Sequence, residues 1–230
     1  MSRYASLLLV AVLGVPCVAL ADDLNPPNQP VPLPGNILWA RGALYSTSAE
    51  WEFLTNANPI SPDGTVPVYV GNFPINGPLA TMTNLTYSND GQGLDGWLAG
   101  TEAGSIILDI PNWIDNEEFK YLHLQISYNH PGPDSTMSVN IQAFDGHGVQ
   151  DVHFEGAIDG HFLPNDEHYL YQFWQIIPNP DWERITIDVP AGYFIDEIVV
   201  DTISIPEPAT MGLLAVGGAV VGLIRRRRRS

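Results

Sequence analysis

Apolar and polar residues alternate with a period of two along three stretches of the sequence. The stretches are residues 121–127, 137–143 and 183–189. Successive side chains of a β-strand point to opposite sides, so this period predicts strands with one buried face, formed in the first stretch by Leu122, Leu124 and Ile126. The β-branched runs at 105–110 and 194–205 predict longer strands that are buried on both faces or pass through a bend.

Turn-forming residues separate these runs, and no long helical period lies between them. The turn clusters are residues 89–91, 130–134, 145–148 and 178–181. Further strands are predicted at 51–54 and 66–70. The sequence therefore predicts an all-β fold, with one antiparallel β-sandwich domain over residues 37–205 and a proline-rich linker over residues 22–36 before it.

Residues 1–21 predict a secretory signal peptide with a signal helix. Arg3 supplies the charged start, residues 7–13 supply the apolar run, and Ala19 and Ala21 are the small residues that signal peptidase requires. The alternative, a first core helix, does not explain the change to a polar, proline-rich sequence at residue 22. We therefore expect signal peptidase to cleave after Ala21.

The single cysteine of the chain, Cys17, lies inside this predicted signal. A lipid anchor on Cys17 is an alternative, although the preceding Pro16 makes a poor lipobox. After cleavage at Ala21 the protein contains no thiol, so disulfides, cysteine nucleophiles and thiolate metal sites are excluded together.

The C-terminus combines a proline motif, an apolar run and an arginine cluster, in that order. The motif is Pro206, Glu207 and Pro208, and the cluster is Arg225, Arg226, Arg227, Arg228 and Arg229. The apolar run at 209–224 predicts a transmembrane helix about 24 Å long, which spans a bilayer if its ends snorkel or the bilayer thins. The arginines would stop transfer and hold the C-terminus in the cytoplasm.

This arrangement over residues 206–229 resembles the PEP-CTERM sorting signal of Gram-negative bacteria that make exopolysaccharide. The resemblance implies that exosortase, a membrane transpeptidase, recognises residues 206–208, and that the helix is removed as the protein reaches the cell surface or extracellular matrix. The alternative is a plain C-terminal membrane anchor, which has the same topology but keeps its tail.

The segment 193–201 is similar to the closing strand of jelly-roll carbohydrate-binding modules, in which an aromatic residue, an acidic pair and a β-branched run recur. The resemblance implies a jelly-roll-type β-sandwich. It also makes carbohydrate a candidate ligand, although one fold supports many functions.

Four aspartates are candidate ligands of a structural calcium ion. Asp90 and Asp95 lie in the glycine-rich loop 89–96, and the jelly-roll resemblance adds Asp196 or Asp201 near the end of the domain. Calcium prefers several carboxylate and carbonyl oxygens on a backbone that turns sharply. The alternative is an ordinary Asp-Gly turn, because the loop lacks the EF-hand spacing.

Aromatic residues are the candidate sugar-binding groups, because the C–H faces of pyranose rings pack on aromatic rings. The predicted exposed sugar-binding residues are Trp113, Trp174 and Trp182. Tyr169, Tyr171 and Phe173 share one face of the segment 168–177, and Trp174 lies on the other face. The alternative is that most of these rings fill the core of the sandwich.

The negative charge of the predicted domain excludes nucleic acids as partners. Residues 22–205 hold 25 acidic and 3 basic side chains, a formal charge of -22, which repels the phosphates of nucleic acids.

No nucleophile motif of the G-x-S-x-G type is present, and the six histidines, all between His123 and His168, lack the spacing of a zinc site. We therefore expect no enzymatic activity.

Together these patterns predict an exported, non-enzymatic protein of the cell surface or matrix that binds exopolysaccharide. The alternative is a structural matrix or surface-layer scaffold that self-associates without sugar specificity.

Overall fold

The computed structural model of the protein describes residues 30–32, 38–40, 43, 45–66, 78–89, 95–112, 119–130, 137–144, 151–162 and 167–205. Fourteen β-strands and no helix lie within these ranges, which confirms the all-β class. The strands are β1 (Pro30–Pro32), β2 (Leu38–Ala40), β3 (Ser46–Trp51), β4 (Gly64–Val66), β5 (Leu79–Thr83), β6 (Leu85–Asn89), β7 (Asp95–Ala99), β8 (Gly104–Pro111), β9 (Phe119–Asn129), β10 (Ser138–Phe144), β11 (Asp151–Phe162), β12 (Glu167–Ile177), β13 (Trp182–Val189) and β14 (Phe194–Ile205).

Two antiparallel sheets contain most of these strands. The small sheet has the order β10-β13-β8-β5, and the large sheet has the order β11-β12-β9-β14-β3-β4. The β6–β7 hairpin joins the large sheet because β7 pairs with Phe194 and Ile195 of β14. Strands β1 and β2 form a separate antiparallel pair.

The hydrophobic core lies between the two sheets, so the described fold is a β-sandwich. Alternate residues of β8 and β13, in the small sheet, pack against alternate residues of β9 and β14, in the large sheet. Together they form one cluster of buried side chains. Leu122, Leu124 and Ile126 are fully buried in this cluster, as the period of two predicts. Val199 and Val200 are both fully buried, which confirms that β14 is covered on both faces.

Strand β3 ends earlier than the sequence predicts. The predicted strand covers residues 51–54, whereas β3 stops at Trp51. Phe53 has a φ of 50°, in the left-handed region that strand residues do not adopt, so the chain leaves the sheet there. Of the predicted strand 66–70, Val66 ends β4 and the remainder lies outside the described residues.

The predicted signals at both ends of the chain also lie outside the described residues. These are the signal peptide at 1–21 with its Ala19 and Ala21, and all residues after Ile205. Within the described ranges, no helix is long and apolar enough to cross a membrane.

Candidate functional site

The outer face of the large sheet, which points away from the core, carries aromatic and polar side chains. Strand register places them in three rows across β12, β9 and β14: Phe173, His123 and Asp201; Tyr171, Gln125 and Val199; Tyr169, Ser127 and Glu197. Directly paired residues lie on the same side of a sheet about 5 Å apart, so each row is continuous. These residues, together with Tyr121 of β9, are called the aromatic–polar face.

The rings of the aromatic–polar face pack on one another and on β2. His123 stacks on Phe173, with ring centroids 4.5 Å apart and 7° between the ring planes. The ring centroids of Tyr169 and Tyr171 are 4.7 Å apart. Trp39 of β2 packs into the same cluster as Phe173 and Tyr171. Strand β2 therefore covers the face near Phe173, whereas Tyr169 and Tyr171 stay partly exposed.

The polar members of this face are buried. Gln125 and Asp201 are 0% exposed and Glu197 is 1% exposed. Gln125 Nε2 donates a hydrogen bond to Asp201 Oδ2 at 3.2 Å. Because a buried polar or charged group is costly unless it is hydrogen-bonded or paired, a face that served only for packing would carry apolar residues at these positions. These buried polar side chains therefore indicate that the face does more than pack and is suited to hydrogen bonds with polar groups.

Tyr171 lies where the rings and a carboxylate meet. Burial, followed by the neighbouring Tyr169 and the negative charge of Glu197, raises the pKa of Tyr171 to about 12. Burial, followed by the charge of Glu155 on β11, also raises the pKa of Tyr121. Both hydroxyls are therefore neutral near physiological pH and are able to donate hydrogen bonds.

The two predicted sugar-binding tryptophans within the described residues lie on different sheets. Trp113 lies outside the described residues. Trp174 is half-buried against the core and meets Phe154 edge-on, with ring centroids 4.9 Å apart. Trp182 lies on the small sheet, where its ring stacks on Phe144 with centroids 4.0 Å apart. A role of these tryptophans in sugar binding stays a prediction.

Three of the four predicted calcium ligands lie within the described residues. Asp90 lies outside the described residues, and Asp95 opens β7. Asp196 stands at the register shift in β14, and Asp201 belongs to the aromatic–polar face. In the part of the chain that the structure describes, no group of three or more His, Cys, Asp or Glu side chains is arranged to hold a metal ion. The calcium site stays a prediction.

Three of the histidines make aromatic contacts. The rings of His130 and His168 have centroids 4.4 Å apart, and both lie beside Tyr128. His130 also stacks on Tyr193 at 4.9 Å. His123 belongs to the aromatic–polar face. These contacts give the three residues a packing role for which no metal is needed.

The polar half of the aromatic–polar face does not follow from the sequence. Alternation along β12 places Tyr169, Tyr171 and Phe173 on one face, but it does not say which strands lie beside them. Gln125 and Ser127 alternate with the core residues of β9, a pattern that ordinarily indicates a solvent-facing side. Only the burial of Gln125, at 0% exposed, and of Ser127, at 1% exposed, shows that these positions are covered.

The two packed sheets define the described part of the chain as a β-sandwich with one aromatic–polar outer face. Residues 204–229 match a known protein family, the PEP-CTERM protein-sorting motif, which confirms the predicted sorting signal. The motif implies an exosortase substrate that is exported to the cell surface and anchored in the membrane by its C-terminal signal before processing. No curated protein and no solved structure matches the chain.

Proposed function

We propose that the protein binds carbohydrate, without catalysis, on the aromatic–polar face of a jelly-roll-type sandwich after delivery to the cell surface or matrix. The observation that carries this proposal is the partly exposed pair Tyr169 and Tyr171 beside the buried carboxylate of Glu197. Exopolysaccharide is the expected ligand, because the PEP-CTERM signal resembles those of bacteria that make it.

The composition of the face fits the chemistry of sugar recognition. A pyranose ring offers apolar C–H faces and a rim of hydroxyls, so it requires an aromatic ring next to planar hydrogen-bonding groups. The tyrosine pair supplies the ring surface. The neutral hydroxyl of Tyr171 adds a donor, and the buried amide of Gln125 and carboxylates of Glu197 and Asp201 lie behind the rings in the same rows.

Trp39 of β2 extends the aromatic surface. It is 5% exposed, and its Nε1 has no acceptor among the described residues. A buried N–H without an acceptor costs about 1–3 kcal/mol, which a sugar hydroxyl accepting from it would offset. This favours a ligand position between β2 and the large sheet.

Charge narrows the class of glycan. With 25 acidic and 3 basic side chains in residues 22–205, the domain repels anionic polysaccharides in the absence of a bridging cation. We therefore expect neutral glycans to bind in low salt, and uronic-acid polymers to bind only when calcium is present.

A glycan array probed with the full chain, with and without calcium, tests the proposal. Tyr171→Ala and Glu197→Gln are expected to weaken retention on neutral glycans at least about tenfold, because they remove the ring and the charged acceptor of the same site. Trp182→Ala distinguishes this face from the small sheet, where Trp182 lies: retention should stay unchanged if the sugar binds on the aromatic–polar face.

Two results would contradict the proposal. Failure of the wild-type chain to bind any glycan would favour the scaffold alternative, which sedimentation of the same sample then tests as self-association. One observation supports that alternative: Phe154 on β11 is 52% exposed. Loss of retention in Trp182→Ala but not in Tyr171→Ala would instead place the sugar on the small sheet.

A further inference from the structure

The only lysine of the chain is buried inside the sandwich. Lys120, in β9 of the large sheet, is 0% exposed, and so is Glu183 of β13 in the small sheet. Asn112, which directly follows β8 of the small sheet, is 2% exposed. Lysine is almost never fully buried in a sandwich core unless it is paired, and here an amine, an acid and an amide meet between the two sheets.

The acid touches both of the other groups through one oxygen. Lys120 Nζ donates to Glu183 Oε1 at 2.5 Å, and Asn112 Nδ2 donates to the same Oε1 at 3.4 Å. Further hydrogen bonds from Asn112 Nδ2 to Pro180 O, at 2.6 Å, and to Asn179 Oδ1, at 2.8 Å, fix the amide in place. The amine and the amide thus both contact the same carboxyl oxygen, Oε1 of Glu183.

The surroundings favour the uncharged form of the acid. Burial raises the pKa of Glu183, against the opposing effect of Lys120. The second oxygen of Glu183, Oε2, has no hydrogen-bond partner among the described residues. Moving one proton from Nζ to Oε1 gives a neutral amine and a neutral acid without changing the net charge, which a fully buried site favours.

We propose that Lys120 and Asn112 join in an intramolecular isopeptide bond, with Glu183 as the acid–base group of the reaction. Nζ of the neutral amine attacks Cγ of Asn112, and the Nζ–Cγ bond forms. Glu183, now protonated, delivers its proton to Nδ2 and takes up one from Nζ, the Cγ–Nδ2 bond breaks, and ammonia leaves. The amine and the primary amide become one secondary amide plus ammonia, so no oxidant, reductant or co-reactant is required.

Contact of both groups with Glu183 lowers the barrier of this step. Reacting groups that are fixed side by side behave as if present at very high concentration. The bond would connect the end of β8 to the beginning of β9 and so tie the small sheet to the large one. In an exported chain whose only cysteine, Cys17, lies in the predicted signal, it provides a covalent crosslink that disulfide chemistry cannot.

Mass spectrometry of the full chain tests the inference. The expected mass is lower than the mass calculated from the sequence and its observed termini by about 17 Da, the mass of ammonia. A succinimide at Asn76 before Gly77 gives the same deficit, so the chain must also be digested. Trypsin should leave residues 42–184 uncut at Lys120 in denaturant, because an acylated lysine is not a substrate, whereas a succinimide leaves that cut intact.

A glutamate-specific protease gives a positive signature. Cleavage after Glu117 or Glu118 should leave the piece that holds Asn112 covalently joined to the piece that holds Lys120. In Asn112→Ala, Lys120→Arg and Glu183→Gln the deficit and the joined pieces should both disappear. Asn140→Ala, a change at an exposed asparagine of β10, is the matched control and should retain them.

The measurements on the wild-type chain alone test whether the isopeptide bond is present, whether or not the variants fold. A full calculated mass together with tryptic cleavage after Lys120 would overturn the proposal. A joined pair of pieces that persists in Asn112→Ala would overturn the assignment of Asn112 as the acceptor. None of these results depends on whether the aromatic–polar face binds sugar.

Discussion

At Tyr171, three neighbouring influences oppose ionisation: burial, Tyr169 and the charge of Glu197. The pKa of Tyr171 in the folded protein is about 12, against 10.0 for a free tyrosine. Because the folded value is the higher one, the stability that this residue contributes is fully present below pH 10 and is lost as the pH rises towards 12.

Alkaline titration followed by tyrosinate absorbance checks this residue. We expect the difference between wild type and Tyr171→Phe to titrate near pH 12, and the free energy of unfolding of the wild type to fall more steeply above pH 10 than that of the variant. A difference spectrum that titrates near pH 10 would show that Tyr171 is solvated and not close to Glu197.

At the scale of single elements, β7 approaches β14 closely enough to require glycine. A Cβ on Gly96 would collide with the backbone oxygen of Ile195 and lie 2.7 Å from Cζ of Phe194, whereas a Cβ on Gly100, just past β7, would meet nothing within 4 Å. Backbone atoms are unable to move aside without breaking the β7–β14 pairing.

Gly96→Ala is therefore expected to lower the free energy of unfolding by about 1–3 kcal/mol, and Gly100→Ala to change it by less than about 0.5 kcal/mol. Urea unfolding followed by tryptophan fluorescence measures both variants. Equal stability of the two would mean that β7 does not lie against β14 as described.

Much of the fold could be predicted because strand periodicity is local. The alternation in β9, β10 and β13 and the β-branched run of β14 are visible in the sequence and specify which residues enter the core. The pairing of β14 with β9 joins residues far apart in the chain, and no local pattern encodes it. For this reason the aromatic column of β12 could be predicted, but Asp201 and Gln125 beside it could not.

Exposure was harder to predict than strand position. Proximity to a turn suggests that Trp182 is accessible, but its cross-strand neighbour Phe144 stacks on the ring, and Arg184 Cζ lies 5.6 Å from the ring centroid. In the sequence, nothing distinguishes Lys120 from the other polar residues of β9. Only the approach of β13 from the other sheet reveals its carboxylate partner.

Over the whole molecule the dominant property is charge. The formal charge of -22 over residues 22–205 predicts self-repulsion that salt screens. The melting temperature of the full chain should therefore rise with sodium chloride up to about 0.5 M, where the Debye length has fallen to a few ångströms.

A comparison of calcium with other salts distinguishes screening of the negative charge from specific calcium binding. The predicted ligands of this ion are Asp90, Asp95, Asp196 and Asp201. If they hold calcium, a few millimolar calcium chloride should raise the melting temperature more than sodium or magnesium chloride does at equal ionic strength. Equal shifts for all three salts would remove the calcium site and leave screening alone.

The position of β14 determines how the molecule carries mechanical load. This strand lies between β9 and β3, and it ends at Ile205, within the residues that match the sorting motif. A pull along the axis of β14 would load the hydrogen bonds to β9 and β3 together in shear instead of opening them one at a time. The C-terminal end of the described chain is thus fastened to an interior strand of the larger sheet, where hydrogen bonds on both sides oppose its removal.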